Sequence, residues 1–268
     1  MNFSKILETL SDNELLNAKG SRRDSFNQFK SVGKNIALAS IPFGLAAVNN
    51  KTKAATMSMA AASMQASPTE ILNFALTLEY LERDFYRMGL DASGLIPADD
   101  QAVFAQISKH EDAHVEFLKA ALGADAIDEP TFDFTAGGNF DPFNDYPTFM
   151  AMSQGFEDTG VRAYKGQAGA LIDNNELLTY ALQIHSVEAR HASQVRRMRG
   201  EKGWITQDNT TLPAAFSAIY AGEDNTVQGG VDLAGMFPDF GGDDAVTEAF
   251  DEPLTMEEVN AIASLFLG

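Results

Sequence analysis

Two Glu-x-x-His pairs, Glu111/His114 and Glu188/His191, stand out in a chain of 268 residues that has only four histidines and no cysteine. Without thiols there is no disulfide, zinc–thiolate site or thiol nucleophile, so any metal must be held by carboxylates and imidazoles. A Glu and a His three residues apart on a helix are neighbours on one face and can reach the same pair of ions. Both pairs interrupt apolar stripes. The first stripe runs Phe104, Ile107, Glu111, His114, Leu118, and the second Leu177, Ala181, Ile184, Glu188, His191, Val195, Met198. A charge on a core-facing stripe is costly unless it is paired or bound to metal.

Single carboxylates occupy two comparable stripes: Glu79 with Leu72, Ala75 and Tyr86, and Glu157 with Met150, Ser153 and Tyr164. The pattern repeats along the chain. Glu79 to Glu157 is 78 positions, while Glu111 to Glu188 and His114 to His191 are 77 each. Two helical hairpins bearing this pattern about a two-fold axis would converge on four Glu and two His, the set found in carboxylate-bridged di-iron and di-manganese bundles. The plainer alternative is a pair of buried Glu–His hydrogen bonds among surface carboxylates.

Several neighbours compete for roles at such a site. Glu82 lies one turn beyond Glu79 on the same face and could replace it. Tyr86 and Tyr164 are expected chiefly to fill the core, with donation to a ligand carboxylate as the second role. His185 is either a donor to a ligand carboxylate or an ordinary buried imidazole. His110 should point roughly 100° away from Glu111 and belong to the surface.

Positioning these residues requires four helices. Ser67-Pro68-Thr69-Glu70 is a capping box with Pro at the first helical position, and the helix it opens should end near Gly89. A second is expected from Asp99 to Gly123, a third from Pro147 to Ile172, and a fourth from about Asn175 to Gly200. Residues 124–145, with Pro130, Gly137-Gly138 and Pro142, have no helical period and make a long connection. Short, long, short connections define two antiparallel hairpins, an all-α four-helix bundle with one long crossover. Residues 201–268 are Gly- and Asp-rich and read as an irregular extension packed on the bundle, ending in a short helix from Thr255 to about Phe266.

The formal net charge is −19, yet residues 1–54 hold eight Lys/Arg against four Asp/Glu, leaving 11 against 34 beyond them. So acidic a body repels phosphate backbones and makes nucleic acid a poor partner. In residues 21–48, Arg22-Arg23, Lys30 and Lys34 precede the apolar run Ile36–Val48, which is signal-peptide architecture and resembles a twin-arginine export signal. The run is short for a membrane span, so membrane attachment is expected only through an uncleaved N-terminal segment. Residues 1–66 thus read as export signal plus linker, 67–200 as the bundle and 201–268 as the extension, in a protein exported to the periplasm or cell envelope.

At "ILNFALTLEYLERDFY", "ISKHEDAHVEFLKAALG" and "HSVEARHASQVRRMRG" the chain resembles the ferritin-like superfamily, and more closely bacterial ferritin-like proteins related to plant desiccation-related proteins. The segment "AFDEPLTMEEVNAIASLF" is similar to the same branch. The resemblance implies a ferritin-like fold in which Glu79 and Glu157 are terminal ligands, Glu111 and Glu188 bridge two metals, and His114 and His191 each cap one. It implies two Fe ions, with two Mn ions as the alternative, and dioxygen or peroxide as partners in ferrous iron oxidation or peroxide removal. Rubrerythrin-type peroxidases of this family take electrons through a cysteine-ligated iron, which this chain cannot build; an outside donor or a catalase-like cycle would be needed. A homo-oligomer is compatible with the family. The competing expectation is a non-enzymatic stress or desiccation-related protein that binds metal for stability or sequestration.

Overall fold

The computed structural model describes residues 66–208 and 210–268; the export signal expected over 21–48 and the linker up to residue 65 lie outside the described residues. Helix α1 (Pro68–Asp91) begins at the capping box. The Glu70 amide donates to the Ser67 hydroxyl at 3.2 Å and the Ser67 amide to the Glu70 carboxylate at 2.7 Å. Helix α2 (Ala98–Leu122) follows Pro97 and stops at Gly123, whose φ of +58° glycine adopts without strain. Helix α3 (Tyr146–Ala168) is capped by Asp145, and α4 (Asn175–Met198) by Asn174, each side chain accepting from an orphan amide of the first turn. The third helix is shorter than its periodicity predicts, because its last turn tightens into a 3-10 segment, Gly169–Leu171.

α1 packs on α2 and α3 on α4, and the two hairpins meet through α1 and α3. The bundle is therefore all-α with one long crossover between α2 and α3. Phe85 anchors the seam, stacking on Phe149 at 4.9 Å and meeting Phe156 edge-on at 5.0 Å. Gly89 allows that approach: a Cβ there would lie 2.2 Å from the Phe149 ring.

Helix α3 differs from an amphipathic bundle helix because every residue from Phe149 to Tyr164 is buried. The extension covers its outer face. It comprises a 3-10 segment (Ala214–Tyr220), a two-stranded hairpin of β1 (Val227–Gln228) and β2 (Val231–Asp232), and helices α5 (Asp243–Thr247) and α6 (Met256–Ala263). Polar residues on that face of α3 hold it in place. Arg162, fully buried, donates to the carbonyls of Ile219, Ala221 and Glu252 and pairs with Glu223 at 2.8 Å. Asp158 accepts from Arg196 of α4 at 3.0 Å and from the Tyr220 hydroxyl at 2.6 Å. Buried charges persist only when satisfied in this way. The chain's end also pairs with the crossover, where the Gly268 amide donates to Thr131 at 2.9 Å.

Gly166 marks the tightest contact between α3 and the extension, since a Cβ there would lie 1.9 Å from the Leu254 carbonyl oxygen. Gly166→Ala should destabilise the protein by about 1–3 kcal/mol through overpacking. It should also open the extension to proteolysis while helicity is kept. Thermal unfolding and limited proteolysis check this; an unchanged midpoint and digestion pattern would contradict it.

Candidate metal centre

The helices bring Glu79 of α1, Glu111 and His114 of α2, Glu157 of α3, and Glu188 and His191 of α4 to the middle of the bundle, all buried. One side-chain atom from each of Glu79, Glu111, His114 and Glu188 lies within 4.8 Å of the others, and the same holds for Glu111, Glu157, Glu188 and His191. Glu111 and Glu188 belong to both groups. That sharing is what a pair of bridging carboxylates requires.

Both imidazoles turn Nδ1 inward. His114 Nδ1 is 3.0 Å from Glu79 Oε2, 2.9 Å from Glu111 Oε2 and 3.3 Å from Glu188 Oε1. His191 Nδ1 is 3.2 Å from Glu157 Oε2 and 3.0 Å from Glu111 Oε1, the latter off the line of a hydrogen bond. Glu111 Oε1 and both oxygens of Glu188 are consequently buried without a hydrogen-bond partner. An unpaired buried carboxylate oxygen is expensive, and a cation is the group that satisfies it. Within the two clusters the unpartnered oxygens fall on the two shared residues, and four carboxylates with two neutral imidazoles balance two divalent ions. The residues present therefore fit a dinuclear centre.

The tyrosines do more than fill the core. The Tyr86 hydroxyl of α1 donates to Glu157 Oε1 of α3, and the Tyr164 hydroxyl of α3 to Glu79 Oε1 of α1. Each crosses to the other hairpin, as the two-fold relation demands. Each terminal carboxylate thus has Oε1 pinned by a phenol and Oε2 facing an imidazole.

Glu79 and Glu82 are both buried, and Glu79 is the one that belongs to a cluster of possible metal ligands. A Cβ at Gly160 would lie 3.0 Å from Glu188 Oε2 and 3.3 Å from Glu82 Oε1, so glycine at 160 makes the room in which these two carboxylates approach. His185 is a part-buried imidazole whose Nδ1 lies 3.0 Å from the Val161 carbonyl oxygen, and it contacts no ligand carboxylate. His110, expected on the surface, is instead part-buried, with Nδ1 2.8 Å from His191 Nε2. The turn away from Glu111 carries it to the edge of α2 that faces α4 rather than out to solvent. No spacing within α2 announces this contact, which depends on the passage of α4.

Protons fill part of this site when metal does not. Burial works to raise Glu111, but its hydrogen bond with His114 and the charge of His114 and His191 overcome it and hold the carboxyl at about 2. Burial opposes charge on both imidazoles, yet the surrounding carboxylates raise each to about 10. Burial lifts Glu79 to about 7, against the pull of His114 and Tyr164. Glu188 and Glu82 are pushed well above the usual carboxylate range, by burial first and then by neighbouring carboxylates. The two shared carboxylates thus differ, because both imidazoles lean on Glu111.

The sequence model of the ferritin-like domain matches residues 67–201, half of the chain, so the protein belongs to the ferritin-like family. The match spans all four bundle helices and all six candidate ligands. No curated protein matches the sequence significantly.

These shifts set a pH dependence. Each imidazole, raised above its unfolded value of about 6.5, contributes stability that is complete below that value and lost as pH climbs through about 10. Glu79 acts in the same direction, its favourable protonation being lost as pH rises through about 7. Glu111 acts oppositely, its contribution being lost only as pH falls below 4.5 toward about 2. Metal-free protein should therefore unfold at a lower temperature at pH 9 than at pH 6. Mn(II) should bind more tightly over the same rise, since it displaces these protons. Chelator-treated and Mn(II)-loaded melts check both; a metal-free midpoint that is flat or rising with pH would contradict the assignment.

Proposed function

We propose that this protein binds two iron ions, or in their place two manganese ions, and uses them to oxidise ferrous iron or to handle peroxide or dioxygen. Glu79 and His114 would hold one ion and Glu157 and His191 the other, with Glu111 and Glu188 within reach of both. The observation that carries the reading is the pair of overlapping clusters whose shared members, Glu111 and Glu188, hold three buried oxygens without a hydrogen-bond partner. Hard carboxylates with one imidazole per ion suit iron and manganese, whereas zinc favours fewer oxygens and copper more nitrogen. When bound, such a pair would supply Lewis acidity and share between two ions the electrons that dioxygen or peroxide takes.

The chain's own residues prepare that chemistry. Tyr86 and Tyr164 pin one oxygen of each terminal carboxylate, so Glu157 and Glu79 present the other inward in a fixed orientation. Phe104, Phe156 and Leu78 are buried in the apolar core of the helices that carry the candidate ligands. Glu82, whose carboxyl burial pushes well above the usual carboxylate range, lies by Gly160, as Glu188 does. Export through residues 21–48 belongs to the same proposal and rests on the sequence alone. Sequestration without turnover, in a stress or desiccation-related role, would use the same ligands and differ only in rate.

Anaerobic titration with Fe(II) followed by air tests the reading. The protein should take up about two irons per chain, one per cluster, and then consume oxygen faster than free Fe(II). Glu111→Ala and Glu188→Ala should each abolish the paired site. Failure of the wild type to bind two irons, or full binding by both variants, would overturn the proposal. Binding without oxygen consumption would select sequestration.

A further inference from the structure

The two half-sites are related by the repeat, but their outer surroundings are not. His191 Nε2, the nitrogen turned away from the carboxylates, lies 2.8 Å from His110 Nδ1. The two rings are within 8° of parallel with centroids 5.1 Å apart, which is about the hydrogen bond plus one ring radius at each end. They therefore meet edge to edge in one plane rather than face to face, the geometry of an aligned imidazole–imidazole hydrogen bond. His110 Nε2 in turn lies 2.6 Å from the side-chain nitrogen, Nε2, of Gln106. Beyond it a cavity of about 400 Å³, lined by Val103, Gln106, His110, His191 and Gln194, opens at the surface.

Nothing equivalent stands behind the other imidazole. Among the described residues, no side chain hydrogen-bonds Nε2 of His114, and the position 77 beyond His110 is Val187. A histidine that ligates through Nδ1 must carry its proton on Nε2, and an acceptor placed there fixes both tautomer and ring plane. With His191 Nε2 donating to His110 Nδ1, His110 carries its own proton on Nε2, so the Gln106 amide, whose nitrogen faces that atom here, must turn its oxygen toward it. That half-turn exchanges two groups of nearly the same size, and with it the three-residue chain runs from metal side to solvent.

We propose that His110 is a positioning residue that locks His191 in the Nδ1-binding form and makes the His191 half-site the tighter of the two. This rests on the dinuclear reading above. It assigns a role to a residue outside the six ligands, and it breaks the symmetry that their repeat implies.

Calorimetric titration with Co(II), a redox-quiet probe, tests it at a fixed pH. Wild-type protein should bind two ions in distinguishable steps. His110→Leu, which keeps bulk but has no acceptor, should weaken one step on the order of 10–100-fold and leave the other unchanged. His110→Asn, whose side-chain oxygen can stand near the position of Nδ1, should restore it. Circular dichroism melts of the metal-free variants separate misfolding from lost affinity. If His110→Leu folds and binds both ions as the wild type does, or weakens both steps equally, His110 has no such role. If the wild type itself fails to bind two ions, the dinuclear reading fails instead.

Discussion

Five glutamates, Glu79, Glu82, Glu111, Glu157 and Glu188, are buried together in the middle of one helical bundle, and the rest of the structure is organised around making that tolerable. Two imidazoles and two phenols are the polar side chains placed against them. The imidazoles serve Glu111 best, and they leave Glu188 with no hydrogen bond on either oxygen. In a low-dielectric interior such a cluster must hold protons or cations. A fold whose stability depended only on apolar packing would have no reason to keep this arrangement, because well-packed apolar residues are cheaper than buried charge.

The scaffold's rigidity follows from the same constraint. Ligands from four helices converge only if the two hairpins keep their register, and the seam of Phe85, Phe149 and Phe156 fixes it. The extension reinforces the seam from outside. By drawing Arg162 and Asp158 into buried networks, it encloses α3, the helix that carries Glu157 and Tyr164. The extension therefore bears on the site without supplying a ligand: it sets how firmly one of the four helices is held.

Much of this was legible in the sequence because helical period converts spacing into facing. Glu111/His114 and Glu188/His191 interrupt apolar stripes, and their repeat at 77 positions announced two hairpins. The capping box at Ser67–Glu70 and the connection lengths gave the order of the elements. What period cannot show is which side chain on one helix meets which on another. The crossed pairs Tyr86–Glu157 and Tyr164–Glu79 depend on the approach of α1 to α3, and His110 meets His191 because α4 passes the edge of α2. The cover over α3 was hidden for a different reason. Its outer residues, Gln154, Asp158 and Arg162, have the polarity of a solvent face, and the segment that buries them has no period to read. Glu79 and Glu82 share a face of α1, so spacing left them as alternatives; that Glu79 joins a cluster while Glu82 lies by Gly160 depends on how the helices pack.

The central claim is that two ions sit side by side, each capped by one histidine and joined by Glu111 and Glu188. Anomalous scattering from crystals of the full chain, purified without added metal and then loaded with Fe(II) or Mn(II), tests it most directly. Two peaks roughly 3.5–4 Å apart, one beside His114 Nδ1 and one beside His191 Nδ1, are expected. A single peak, peaks away from these residues, or an empty bundle whose Glu188 oxygens contact only protein and water would contradict it.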